Sequence, residues 1–285
     1  MTVEAFAPAK INLTLHVTGR RGDGYHYLDS LVVFAALGDR VQAEPADRLT
    51  LELAGPEADP LPLGDDNLVL RAARHLHPTR GAALRFVKNL PVASGMGGGS
   101  SDAAAALRAL SALWDCPLPP AEATVALGAD VPVCMAAAPM RMTGIGEVLS
   151  AVTLPPGVLW AVLANPRIGV STPAVFAALG RRDNPSMPAV FPAWSGMRAF
   201  LAWLGEQRND LEAPVVAMCP PVGAALTALH SHGAALARMS GSGATVFGLF
   251  ETEAASRAAA QALAREQPGW WVHAAPLGGP FTRYS

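Results

Sequence analysis

The run Pro91-Val92-Ala93-Ser94-Gly95-Met96-Gly97-Gly98-Gly99-Ser100-Ser101-Asp102 constrains this chain more than any other segment. It follows a strand-like stretch at 84–89 and leads into the clearest helical pattern in the sequence, 101–114, with Leu107, Leu110, Leu113 and Trp114 on one face. Glycines at 95, 97, 98 and 99 let backbone N–H groups converge on a polyanion without Cβ obstruction, and a Cβ at Gly98 is expected to obstruct the phosphate and to demand a disfavoured φ. Ser100 and Ser101 are expected to cap the helix and to add hydroxyl donors. The free N–H groups and dipole of its first turn favour a phosphate. A plain strand-to-helix turn with a serine cap is the alternative, but it needs fewer glycines. No Gly-Lys-Ser/Thr sequence occurs, so this is not a Walker loop, and it does not follow the first strand of a dinucleotide-binding unit.

Two lysines stand out because the chain otherwise avoids that residue. Of 21 Lys and Arg residues only Lys10 and Lys88 are lysines. A compact ammonium suits a place where one mobile donor reaches an oxygen, and a planar guanidinium does not replace it there. Two leftover surface charges are the plainer alternative. The net charge of −2 gives no polybasic footprint, which argues against nucleic acid as a partner. Hydrophobic residues at 51% and charged residues at 15% allow a sizeable core. No apolar run approaches the ~18–20 residues of a membrane span, and the N-terminus lacks the pattern of a signal peptide, so no membrane partner and a cytoplasmic location are expected. Cys116, Cys134 and Cys219 form no C-x-x-C pair, which favours buried apolar thiols over a disulfide framework or zinc. His230 and His232 lack further ligating residues nearby, and no protein metal site is expected.

Period-two patterns predict strands at 6–17, 28–37, 40–44, 49–53, 84–89, 158–165, 236–239 and 244–250. Helical patterns fall at 67–76, with Asp66 or Asn67 as cap, and at 101–114, 121–127, 173–179, 197–204, 224–230 and 253–267. The mixture lacks strict strand–helix alternation, which favours an α+β fold. Pro155-Pro156 marks a seam, giving an N-terminal domain at 1–154 and a C-terminal one at 155–285.

The glycine run resembles the central motif of the GHMP kinases. Pro8-Ala9-Lys10-Ile11-Asn12-Leu13 is similar to the N-terminal motif of that superfamily, Met239-Ser240-Gly241-Ser242-Gly243-Ala244 to its C-terminal glycine motif, and Gly128-Ala129-Asp130-Val131-Pro132 to the segment with its catalytic aspartate. Four further segments narrow the resemblance: Arg20-Arg21-Gly22-Asp23-Gly24-Tyr25-His26, Asn67-Leu68-Val69, Arg208-Asn209-Asp210-Leu211-Glu212, and Ser171-Thr172-Pro173 with Phe176. These resemble the branch that acts on a cytidine diphosphate substrate in non-mevalonate isoprenoid precursor biosynthesis. The family's paired glycines after the aspartate are replaced by Ala136-Ala137-Ala138-Pro139.

The resemblance implies a two-domain fold with its active site in the cleft between the domains, and an ATP-dependent kinase with an alcohol as acceptor. It implies Asp130 as general base and Lys10 as its cationic partner; a carboxylate in an otherwise apolar segment needs such a partner, although a turn aspartate before Pro132 remains the alternative. Pro91 to Ser101 would bind ATP, with Asn67 and Lys88 on the adenine side. His26 would read the cytosine edge, Tyr25 and Phe176 would stack on its faces, and Asn12 and Thr172 would contact the substrate. Asn12 lies two residues from Lys10, so both face one side of a strand. Magnesium is expected as cofactor, held by ATP oxygens, water and Ser101. Another GHMP kinase, a superfamily decarboxylase and a non-catalytic ligand sensor are the competing functions.

Overall fold

β3 (His26–Glu44) organises the molecule. Gly38-Asp39 looks like a turn between two strands, yet the chain runs on through it. Gly38 faces Pro8 of β1 (Val3–Asn12) so closely that a Cβ would sit 2.1 Å from the Ala7 carbonyl oxygen. The glycine allows a close strand approach instead of a chain reversal. The computed structural model describes residues 1–59 and 61–281.

Along β3 pair β1, β2 (His16–Arg20), β5 (Ala82–Val87) and β6 (Met140–Gly144), with β4 (Leu49–Ala54) on β5 and β7 (Val148–Ala151) on β6. The sheet continues through β11 (Trp271–Gly278) to β8 (Leu159–Asn165), β10 (Val246–Phe250) and β9 (Leu236–Met239). The helices are α1 (Leu68–Leu76), α2 (Gly98–Trp114), α3 (Ala121–Thr124), α4 (Val131–Ala136), α5 (Thr172–Ala177), α6 (Met197–Gly205), α7 (Glu212–Met218), α8 (Pro220–Ser231) and α9 (Glu253–Glu266). This is the expected α+β arrangement. β6, β7, β11, α4 and α7 had no clear pattern in the sequence. β11 carries two alanines and Pro276, weak strand formers, and is held by partners on both edges.

Three cores result. One packs α1, α2 and α4 on β1, β3 and β5; the second joins α6 to β8, β10 and β11; the third sets α7, α8 and α9 on the far side of β8 and β10. No single helix among the described residues is long and apolar enough to cross a membrane.

The register of β1 shifts between Pro8 and Lys10. Val3, Ala5 and Ala7 face the first core, but Ala9, Ile11 and Leu13 face the second. The irregularity therefore brings Lys10 and Asn12 round to the side occupied by α2. Proline has no N–H for the ladder, and the freed Lys10 N–H donates to the Met96 carbonyl at 2.9 Å. The local break in the sheet thus ties the strand to the glycine loop.

α2 begins at Gly98, three residues before the expected start, and Gly97 precedes it in the left-handed region without a side-chain cap. Its residues from Ser101 to Leu110 are all buried, so the helix is enclosed on every side instead of presenting one apolar face. Small alanines at 103–106 allow that close packing. Buried Arg108 crosses from α2 to the Cys134 and Phe6 carbonyls at 3.0 and 2.8 Å. α4 ends on Ala137 with φ 45, a left-handed conformation that a glycine would adopt without strain.

Candidate active site

Lys10 and Asp130 meet at the floor of a cavity of about 450 Å³, with Lys10 Nζ donating to Asp130 Oδ2 at 2.5 Å. Asp130 precedes α4 but makes no side-chain cap bond; its carboxylate is given to Lys10. The lysine is almost wholly enclosed, whereas the aspartate side chain keeps 36% of its exposure and opens on the cavity. That is the expected pairing, and it disfavours the turn alternative for Asp130. Neither lysine is a surface charge, since Lys10 and Lys88 are 4% and 2% exposed.

The glycine run forms one wall. Pro91 to Gly95 and Gly97 to Ser100 line the cavity. Met96 is buried in the second core instead, and the Ser101 hydroxyl donates to the Pro8 carbonyl at 2.7 Å. Neither expected helix cap nor metal ligand is therefore found in Ser101. The uncapped first turn of α2 leaves its N–H groups for an anion. Gly98 has an ordinary helical φ, and a Cβ there would meet only the Lys88 ammonium at 3.1 Å. Gly98→Val is accordingly expected to fold normally but to fill the phosphate wall. Titration calorimetry with an ATP analogue should show affinity at least about tenfold weaker, with an unchanged circular dichroism spectrum; native affinity would restore the plain-turn alternative.

A second glycine loop closes the opposite wall. Gly241, Ser242 and Gly243 line the cavity, and Ser242 Oγ lies 2.8 Å from Thr172 Oγ1. The two loops are locked together: Ser240 Oγ donates to Gly95 O at 3.0 Å, and a Cβ on Gly95 would lie 2.5 Å from Ser240 O. Asn209 Nδ2 bonds the Met239 and Gly241 carbonyls at 2.8 Å each, and Glu212 accepts from Met239 N–H. The segment at 208–212 is thus a brace for this loop.

Asn12 shares the cavity wall with Lys10. Its Nδ2 donates to Ser30 Oγ at 2.8 Å, while its buried Oδ1 has no partner among the described residues. Asn67 caps α1 by accepting from Val69 N–H at 2.9 Å, and its Nδ2 donates to the Pro62 carbonyl at 2.8 Å. It lines the cavity beside Leu61, Pro62, Leu68 and Val69, an apolar strip unremarkable in the sequence alone.

Lys88 also lines the cavity, but its ammonium is anchored by Asp39 at 2.5 Å and Asp102 at 3.0 Å. Burial works against its charge, yet the two carboxylates outweigh it and hold its pKa above the ordinary lysine value. Burial also pushes the Asp102 carboxyl well above the usual range, against the pull of Lys88. The Asp39 carboxylate adds to that push. Neither Asp39 nor Asp102 stood out as a site residue in the sequence. The Cys134 thiol, pushed up to about 12 by burial, is inert.

Tyr25, His26 and Phe176 do not line this cavity, although Thr172, on the same helix as Phe176, does. His26 stacks on Phe176 with ring centroids 4.6 Å apart and planes 21° apart. Tyr25 is 57% exposed, with the Arg21 guanidinium over its ring at 5.6 Å. His26 Nε2 is buried and has no partner among the described residues. One face of Phe176 is covered by His26.

Comparison with known proteins identifies the family. Residues 67–139 match the GHMP kinases N terminal domain and residues 193–269 the GHMP kinases C terminal domain. The fold and its glycine loops define an ATP-dependent phosphotransferase with an alcohol as acceptor. A 4-diphosphocytidyl-2-C-methyl-D-erythritol kinase of Cereibacter sphaeroides is 58% identical over 277 residues, covering 97% of this chain and 99% of its own. One of Ruegeria pomeroyi is 54% identical over 273 residues, 95% of this chain and 98% of its own. A crystal structure of a 4-(cytidine 5'-diphospho)-2C-methyl-D-erythritol kinase superposes with a TM-score of 0.80 at 35% identity, covering 97% of this chain and 100% of that one. The chain belongs to the 4-diphosphocytidyl-2-C-methyl-D-erythritol kinase family of the GHMP kinases.

Proposed function

We propose that this enzyme transfers the γ-phosphate of ATP to the 2-hydroxyl of 4-diphosphocytidyl-2-C-methyl-D-erythritol, in the non-mevalonate route to isopentenyl diphosphate. The observation that carries the chemistry is the Lys10–Asp130 pair, opening on the same cavity as the uncapped N-terminus of α2. The acceptor oxygen forms a bond to the γ-phosphorus as the bond to the β,γ-bridging oxygen breaks, and ADP leaves. The hydroxyl proton passes to Asp130, whose second oxygen is not engaged by Lys10. Lys10 holds the carboxylate in place and offsets charge gathering on the transferring group.

The loop residues 91–100 and the second glycine loop would enclose the phosphates, with the apolar strip at 61–69 beside the adenine. Magnesium would neutralise phosphate charge and orient the γ-phosphate for in-line attack. The donor set fits an ion carried mainly by ATP. Ser101 is engaged inside, no cluster of three His, Cys, Asp or Glu residues occurs among the described residues, and Asp130 and Ser100 offer oxygens on the cavity wall. The site then lies between an N-terminal unit at 1–154 and a C-terminal unit at 155–285. The first supplies Lys10, Asp130 and the phosphate loop, and the second supplies Thr172 and the loop at 241–243.

Acceptor choice rests on Asn12, Thr172, Tyr25, His26 and Phe176. The buried, unpartnered Asn12 Oδ1 and His26 Nε2 support this, because such atoms cost ~1–3 kcal/mol unless a ligand satisfies them. The test is ADP formation with hydroxylated acceptors carrying cytidine diphosphate, uridine diphosphate or no nucleotide. Tyr25→Ala and Phe176→Ala should each raise acceptor KM roughly fivefold to a hundredfold without changing ATP affinity, as loss of base stacking dictates. His26→Ala should instead blunt preference for cytidine over uridine. Unaltered acceptor kinetics in all three would leave a GHMP kinase of some other acceptor.

A further inference from the structure

His26 stands directly opposite Arg20 in the β2–β3 ladder, so both side chains leave the same face of that hairpin. On its other side the imidazole meets Phe176 of α5. Just beyond that helix, Arg182 Nη2 donates to the carbonyl of Ala177, the residue after Phe176, at 3.1 Å. A cation from β2 and a cation from the segment after α5 therefore both act on the ring, while α5 itself presents the neutral ring of Phe176. Among the described residues neither guanidinium is ion-paired to a carboxylate in the manner of Arg21 with Asp23 or Arg181 with Asp183. Arg182 Nε, like His26 Nε2, is buried and has no hydrogen-bond partner among the described residues.

Protonation would change what His26 can recognise. A neutral imidazole offers a lone pair on one nitrogen, whereas an imidazolium has only N–H donors. The exocyclic amine of a 4-aminopyrimidine needs an acceptor, and the corresponding oxygen of a 4-oxopyrimidine needs a donor. We infer that Arg20 and Arg182 are specificity-determining residues of the acceptor site, because they keep His26 uncharged and leave Nε2 as a lone-pair acceptor for the amine of a 4-aminopyrimidine. Burial first, then Arg20 and Arg182, lower the imidazole pKa below its ordinary value. Positive charge near the ring thus extends the neutral form to lower pH. This rests on His26 being the residue that reads the base.

The experiment uses the full chain with Arg20→Gln, Arg182→Gln, the double Gln variant and a double Lys variant that keeps the charges. The ratio of kcat/KM for cytidine and uridine diphosphate acceptors is measured at about pH 8.5 and about pH 6, on either side of the ordinary histidine pKa. Titration of the His26 ring is followed by NMR. In the parent and the double Lys variant the ratio should change less between the two pH values than in the double Gln variant. In the double Gln variant the ring should titrate at higher pH, and its cytidine preference should fall roughly tenfold between pH 8.5 and pH 6, the worth of about one hydrogen bond. A ratio independent of pH in the double Gln variant, whether native or uniformly lowered, overturns the inference. If His26→Ala meanwhile blunts the preference of the parent, base reading by His26 survives that failure. If His26→Ala leaves the preference intact at both pH values, both ideas fall together.

Discussion

Asp130→Ala is expected to lower substrate-dependent ADP formation at least about a hundredfold, within the ~10²–10⁴ range for loss of a general base, while ATP affinity stays close to native. The carboxylate approaches the cavity from the residue before α4 and neither caps that helix nor belongs to a packed core. Its removal therefore deletes a proton acceptor and the partner of Lys10 without opening a void in the fold. Steady-state kinetics with the cytidine diphosphate acceptor, beside calorimetric titration of an ATP analogue, separates the two effects. Turnover near that of the parent would show that Asp130 is not the base, and the loss of affinity for both ligands would mark it as a structural residue.

Lys10→Arg is expected to be nearly as damaging as Lys10→Ala, each lowering kcat by ~10²-fold or more, although the arginine keeps the charge. The reason is space. Lys10 runs beneath Gly97, where a Cβ would already lie 3.1 Å from the lysine Cβ and Cε. Its ammonium ends 2.5 Å from Asp130 Oδ2 in an almost closed position. A guanidinium is broader and cannot place one donor at that point without displacing the glycine loop or the carboxylate. Stopped-flow or steady-state turnover of the two variants decides the matter. An arginine variant that kept most of the parent's activity would reduce Lys10 to a generic positive charge.

Lysine scarcity in an arginine-rich chain proved informative because each ammonium occupies a place where size and flexibility matter. It identified both buried lysines, but not what surrounds them. Lys88 was expected on the adenine side, and it does line the cavity, yet its charge is absorbed by Asp39 and Asp102. Those carboxylates come from β3 and α2, 63 positions apart along the chain (102 less 39), so no local pattern could pair them with the lysine. Asn67 illustrates a different limit. Its place before an apolar helical run marked it, or Asp66, as a cap, and the Asn67 side chain makes that bond. The additional hold on the Pro62 carbonyl depends on how the preceding loop folds back.

The sequence by itself determined the glycine loop ahead of a strong helix, the lysine and aspartate segments, the α+β character and the family resemblance. All are local: they follow from residue type, short-range spacing and backbone freedom. Tertiary structure alone decided that β3 passes unbroken through Gly38-Asp39, that the register shift after Pro8 turns Lys10 and Asn12 toward α2, and that Ser101 spends its hydroxyl on Pro8. It also decided that His26 stacks on Phe176 of α5 while it stands opposite Arg20 of β2. These outcomes depend on which distant backbone oxygen or charge arrives within hydrogen-bonding or Coulombic range, and that is set only when the strands pair and the helices pack.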